Sequence, residues 1–179
     1  MIDLTRDVVA TTIPYGQKTK LPAGSHVEIT QELGGSYTVL SDIGLLRIEG
    51  ADADALGIDP AKPARPREEE QAGDLTTTVT RVWNELKTCF DPEIPVNIVE
   101  LGLVYENKVE AFPEGGYKVD IKMTLTAPGC GMGSILQSEA QQKILAVPGV
   151  KQCTVELVWE PPWAQAMMSE AAKLQLGMM

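Results

Sequence analysis

Between Ile58 and Asp74 the chain reads IDPAKPARPREEEQAGD, and no other stretch constrains the fold as much. It carries three prolines, several basic residues and a glutamate run, and its few apolar residues follow no helical or strand-like period. Proline fixes φ and removes a backbone donor, and a charged segment without an apolar face has nothing to bury. Residues 58–74 are therefore expected to be a solvated linker. The chain on either side must fold around its own apolar pattern: a β-rich module over residues 1–57 and a second domain over residues 75–179.

In the first part, short apolar stretches over residues 12–50 alternate with turn signals at Pro22-Ala23-Gly24, Gly34-Gly35 and Asp42-Ile43-Gly44. Val27 and Ile29 alternate with polar neighbours. Gly34-Gly35 then supplies a two-residue hairpin turn before Tyr37 and Val39. Short strands this close together suggest a compact antiparallel barrel or curled sheet. A module of this size buries little surface alone and is expected to dock on the rest of the chain or on a partner.

The second part changes period. Leu75, Val79, Val82, Trp83, Leu86 and Phe90 recur at helical spacing after Asp74, a good N-cap, and Asp91-Pro92 stops the helix. Strands follow from Leu101 to Glu110 and from Tyr117 to Thr126, joined by a turn at residues 113–116. A helix over about residues 134–145, with Ile135, Leu136, Ala140 and Ile144 inward, ends at Pro148-Gly149. A third strand from Lys151 to Trp159 turns Cys153, Val155, Leu157 and Trp159 to one face, and a last helix starts near Trp163. The order α-β-β-α-β-α makes the fold class α+β, a two-layer domain with a small mixed sheet behind a small all-β module.

Charge and cysteine usage exclude whole classes of function. The formal net charge is −10, so the chain repels phosphate backbones and anionic membrane surfaces, and neither nucleic acid nor membrane is an expected partner. No stretch is apolar enough for a membrane helix, and the first residues lack the basic start and apolar run of a signal peptide. Cys89, Cys130 and Cys153 form no disulfide framework, which suits a reducing cytoplasm. There is no C-x-x-C, and the single histidine, His26, is remote in sequence from every cysteine. A self-contained zinc or four-cysteine iron–sulfur site is excluded. Any metal would need carboxylates, a second subunit or an outside ligand.

TLTAPGCGMGS, residues 124–134, places Cys130 between two glycines where a strand hands over to a helix. The first amides of a helix lack internal partners and the dipole is positive there, which favours a thiolate and makes it a nucleophile or metal ligand. The same pattern is also that of a tight turn with an incidental cysteine. Gly129 to Ser134 has the outline of a phosphate-cradling G-x-G-x-x-S turn, without the repeated βαβ units or Gly-Lys-Ser/Thr such a site needs. In FDPEIPVNIVELGLV, residues 90–104, two prolines stiffen the backbone around Glu93. Asp91 and Glu93 there are poised to bind metal, orient a thiol or brace the loop. Thr124 and Thr126 share a strand face leading to Cys130, as site hydroxyls or as β-branched filling. Cys89 reads as packing that could approach the site, Cys153 as core and His26 as surface. WEPPW, residues 159–163, is either a rigid edge for a partner or a strand terminator, and the methionines near the end read as core or tail.

DPEIPVNIVELGLVY, TLTAPGCGMG and VELVWEPPW together, in this order over about residues 75–177, resemble the SufT-type iron–sulfur assembly proteins. These belong to a wider family of small assembly domains that includes the eukaryotic cytosolic targeting factors. Many members of the wider family have proline after the loop cysteine, where this chain has Gly131. The resemblance implies a non-enzymatic maturation factor. Its loop thiol, Cys130, would be the metal ligand, with Asp91, Glu93, Thr124 and Thr126 completing the cofactor-binding site. The expected cofactor is a transient iron–sulfur cluster or iron, none of it tightly bound. The expected partners are the assembly machinery and apo iron–sulfur proteins, with a homodimer as the source of a second thiol. Two other readings stand beside it: a thiol-dependent redox or acyl-transfer enzyme using Cys130, and a pure protein–protein adaptor.

Overall fold

The computed structural model describes residues 1–33, 35–59, 73–91, 93–129 and 131–178. Cys130, Pro92, Gly34 and most of the expected linker lie outside the described residues. The chain divides into two compact units, one carrying the first six strands and the 3₁₀ helix after them, the other the remaining elements.

The N-terminal unit is a six-stranded sheet in the order β1-β4-β5-β6-β2-β3. Its strands are β1 (Ile2–Asp3), β2 (Val8–Thr12), β3 (Lys18–Leu21), β4 (His26–Leu33), β5 (Ser36–Ser41) and β6 (Gly44–Glu49). All its neighbouring strands are antiparallel. The sheet starts at Ile2, ahead of the expected Thr12, because Val8 and Ala10 also alternate inward. The expected hairpin forms: Leu33 pairs with Ser36, and Gly35 takes φ +80°. A 3₁₀ helix (Gly50–Leu56) follows β6, and Ala53, Ala55 and Leu56 join Val39, Leu46 and Ile48 in the core of this unit.

The C-terminal unit runs α1 (Leu75–Leu86), β7 (Val104–Ala111), β8 (Tyr117–Met123), α2 (Gly133–Leu145), β9 (Val150–Leu157) and α3 (Glu170–Gln175). It is the α+β arrangement read from the sequence. β7 pairs antiparallel with β8, and β8 pairs parallel with β9. A parallel pair needs a crossover connection, and α2 supplies it. Val119, Ile121 and Met123 of β8 are buried, as are Leu136, Ala140 and Ile144 of α2. The other sheet face carries the ion pairs Lys122–Glu106, Lys108–Glu110 and Lys118–Asp120.

Asp74 caps α1 as expected, its Oδ1 accepting the Thr77 N–H at 2.8 Å. Several element ends differ from the expected ones. α1 stops at Leu86 and not beside Asp91, and Phe90 instead forms a β-bridge with Asn97. β7 begins at Val104, since residues 98–102 form a turn. β8 ends at Met123 and β9 at Leu157, so Thr124, Thr126 and Trp159 lie beyond the ladders. The last α-helix starts at Glu170, well after Trp163, where Ser169 Oγ accepts the Ala172 N–H.

β9 is an outer strand of its sheet. Gln137 and Gln141, one turn apart on α2, donate their side-chain amides to the carbonyls of Val155 and Cys153. No helix among the described residues is long and apolar enough to cross a membrane.

Candidate functional site

The segment from Asp91 to Leu103 is held by its own hydrogen bonds more than by regular structure. Asp91 Oδ1 accepts the Glu93 N–H at 2.9 Å, and the Asp91 carbonyl accepts the Ile94 N–H at 3.2 Å. Asp91 is buried, and burial raises its carboxyl above the ordinary carboxylate range, against the opposing effect of the Glu93 amide. Its carboxylate thus braces the loop, one of the roles open to it from the sequence. Glu93, two residues on, is exposed.

Asn97 makes the next turn. Its Oδ1 accepts the N–H of Val99 at 3.1 Å and of Glu100 at 2.9 Å. Its carbonyl accepts the Leu101 N–H at 3.0 Å. Asn97 is a site residue absent from the sequence-based expectation, and its one local signal is the N-x-x-E outline of a helix start in Asn97-Ile98-Val99-Glu100. Gly102 follows with φ +73°, and a Cβ there would stand 2.3 Å from the Met167 carbonyl oxygen. Only glycine fits that approach.

The chain after β9 clamps the same segment. Trp163 Nε1 donates to the Leu101 carbonyl at 2.8 Å, Ser169 N–H to the Glu100 carbonyl at 2.9 Å and Gln175 Nε2 to the Pro95 carbonyl at 2.7 Å. On the other side, Thr124 N–H donates to the Leu103 carbonyl at 2.8 Å, so the end of β8 is tied to the end of this segment. Thr124 is buried and Thr126 half-buried. Both follow the last residue of β8, so the shared strand face expected for them is absent: the ladder stops at Met123.

Residues 127–129 and Gly131 are exposed, Met132 is buried, and α2 begins at Gly133. Cys130, between these flanks, lies outside the described residues. The other two thiols are packed away. Cys89 is buried with its Sγ 3.7 Å from the Glu85 carbonyl. Cys153 is buried too. Burial, with a smaller contribution from the Asp120 charge, pushes its thiol up to about 11, so it is not a thiolate at neutral pH. His26 is exposed on β4, its Nδ1 hydrogen-bonded to the Asp3 carboxylate. Among the described residues no three His, Cys, Asp or Glu side chains come together to hold a metal ion.

The family model described as "Iron-sulfur cluster assembly protein" matches residues 79–157, from within α1 to the end of β9. That span includes Asp91, Glu93, Thr124, Thr126 and Cys130 and leaves out the N-terminal sheet. A Porphyromonas gingivalis (strain W83) protein named Fe-S protein maturation auxiliary factor is 45% identical over 92 residues, covering 51% of this chain and 84% of that protein. The Fe-S protein maturation auxiliary factor SufT of Staphylococcus aureus (strain USA300) is 44% identical over 87 residues, covering 49% of this chain and 94% of that protein. A crystal structure of a domain of unknown function, DUF59, from Bacillus anthracis is 37% identical, covers 58% of this chain and 95% of its own, and has a TM-score of 0.49. Identity at this level over nearly the whole length of curated relatives shows that the chain belongs to the iron–sulfur cluster assembly protein family.

Proposed function

We propose that this chain is a non-enzymatic maturation factor that carries or targets iron–sulfur clusters to apo-proteins through Cys130. The observation that carries the reading is the identity of 44–45% to maturation auxiliary factors matched over 84–94% of their own length. The packing of the other thiols supports the choice of residue: Cys89 and Cys153 are both buried. Exposed flanks on either side of Cys130 and the start of α2 three positions later favour an accessible thiolate.

The cluster is cargo in this reading. One thiolate per chain holds it weakly, with further ligands from a second copy of the chain or from a partner. Release is ligand exchange: a client cysteine thiolate bonds to iron, the iron–Cys130 bond breaks, and no electron changes hands. Asp91 fixes the neighbouring loop, and Glu93 and Thr126 remain open to cargo or partner. The proposed partners are the assembly machinery and apo iron–sulfur proteins, in the cytoplasm, where the Cys89 and Cys153 thiols stay reduced.

The test is complementation of a deletion strain under iron limitation with the parent chain or Cys130→Ala. The readouts are the activity and abundance of several iron–sulfur enzymes. The expected result is recovery of activity at constant abundance by the parent alone. Equal recovery by Cys130→Ala would overturn the thiol-centred mechanism and leave an adaptor.

A further inference from the structure

The methionines near the end of the chain read from the sequence as core or tail, and the structure divides them. Met168 is buried, whereas its neighbour Met167 is 37% exposed. Met167 closes a 3₁₀ turn (Gln165–Met167), and its Sδ lies 3.6 Å from Tyr105 Oη in a contact at the surface. The phenol has a single proton to give. That proton serves the Pro161 carbonyl, at 2.7 Å, because a carbonyl oxygen is a far better acceptor than a thioether sulfur. The sulfur stands beside this hydrogen bond as a weak competitor for it.

The same stretch of chain holds the candidate site. Trp163 Nε1 donates to the Leu101 carbonyl at 2.8 Å, and Ser169 N–H to the Glu100 carbonyl at 2.9 Å. The Met167 carbonyl packs against Gly102, where any side chain would collide with it. The Tyr105–Pro161 hydrogen bond therefore pins one end of the clamp on residues 100–102, and Met167 touches both the pin and the clamped segment.

We infer that Met167 is a site of reversible oxidation by peroxide, and that its sulfoxide releases this clamp. A lone pair of Sδ attacks one peroxide oxygen and the O–O bond breaks. The hydroxide released takes the proton left on the transferred oxygen and departs as water. Sulfur is oxidised by two electrons and the peroxide is reduced by two. The new sulfoxide oxygen is a strong acceptor next to the Tyr105 hydroxyl, and it draws the proton away from the Pro161 carbonyl. The chain from Pro161 to Met167 then loses its tie to β7, and its hold on residues 100–102 slackens. Methionine sulfoxide reductase restores the thioether and with it the original hydrogen bond. The inference uses neither the Cys130 chemistry nor the maturation reading.

The experiment is limited hydrogen peroxide treatment of the full chain carrying Cys130→Ala, which removes the loop thiol as a second target. Peptide mass spectrometry maps the added oxygen, circular dichroism follows melting, and NMR follows hydrogen exchange of the Ser169 amide. Met167 should gain oxygen about tenfold or more faster than the buried Met123, Met132 and Met168. The oxidised chain should melt about 3–5 °C lower, with faster exchange at Ser169, and the reductase should reverse both. In the same background Met167→Leu should melt alike before and after peroxide, which sets aside the exposed Met1 and Met178. Tyr105→Phe should start lower and fall no further on oxidation, since no phenolic proton is left to divert. If Met167→Leu proves unstable, Tyr105→Phe decides. Oxidation of Met167 no faster than that of the buried methionines, or unchanged melting and exchange once Met167 is oxidised, would overturn the inference. So would an equal fall on oxidation in Met167→Leu or in Tyr105→Phe.

Discussion

Asp91 is a carboxylate kept where a carboxylate is costly. Burial raises its folded-state pKa, so the ionised form is penalised in the native state. The sign follows: stability is fullest below the ordinary aspartate value near 3.9 and declines as pH rises through the higher folded value. Asp91→Asn keeps an Oδ1 to accept the Glu93 N–H and removes the penalty. The variant should match the parent in acid and melt at higher temperature at pH 8, as differential scanning calorimetry across pH would show. A lower melting point at pH 8 would mean that the charge itself is stabilised by a group other than the Glu93 amide. The bracing role of Asp91 was legible in the sequence, because aspartate before proline is a common turn starter. Its burial was not, since burial depends on tertiary packing that a local turn signal does not report.

The element ends teach a related lesson. Apolar alternation runs on through Leu125 and Trp159, but pairing stops at Met123 and Leu157. Side-chain period reports which way a residue points and not whether a neighbouring strand is present to bond it. The helix starts at Asp74 and the hairpin at Gly34-Gly35 were legible because capping and turn chemistry are local. The clamp of Trp163, Ser169 and Gln175 on residues 95–101 was not legible, because its partners lie about 60 to 80 positions away along the chain. Gly102 is where that clamp is tightest. Gly102→Ala puts a Cβ against the Met167 carbonyl in a left-handed conformation, and should cost roughly 2–4 kcal/mol. Thermal unfolding followed by circular dichroism checks it, with a fall of about 10 °C or more expected for a unit of this size. A shift of under about 2 °C would mean that residue 167 is free to move away.

At the scale of the whole molecule, the chain forms two compact units, and the N-terminal one has an apolar core of its own. The relatives are matched almost end to end by about half of this chain, so one unit's worth of residues is a complete protein among them. A chain of residues 73–178 should therefore fold cooperatively. Dispersed amide resonances and a single sharp melt are the expected signs. A collapsed state without fixed packing would show that the C-terminal unit needs the N-terminal sheet to fold. What the six-stranded sheet contributes to maturation is then measured directly, by asking whether the shorter chain serves the same clients.

The two glutamine amides on α2 have a consequence for assembly. A sheet grows sideways by offering free carbonyls and amides to a newcomer, and β9 has two of its carbonyls already engaged. An incoming strand would first have to dislodge both side chains. The β9 edge is thereby closed to the backbone ladder that would fuse its sheet with another strand, and any contact made along it would be a contact of side chains.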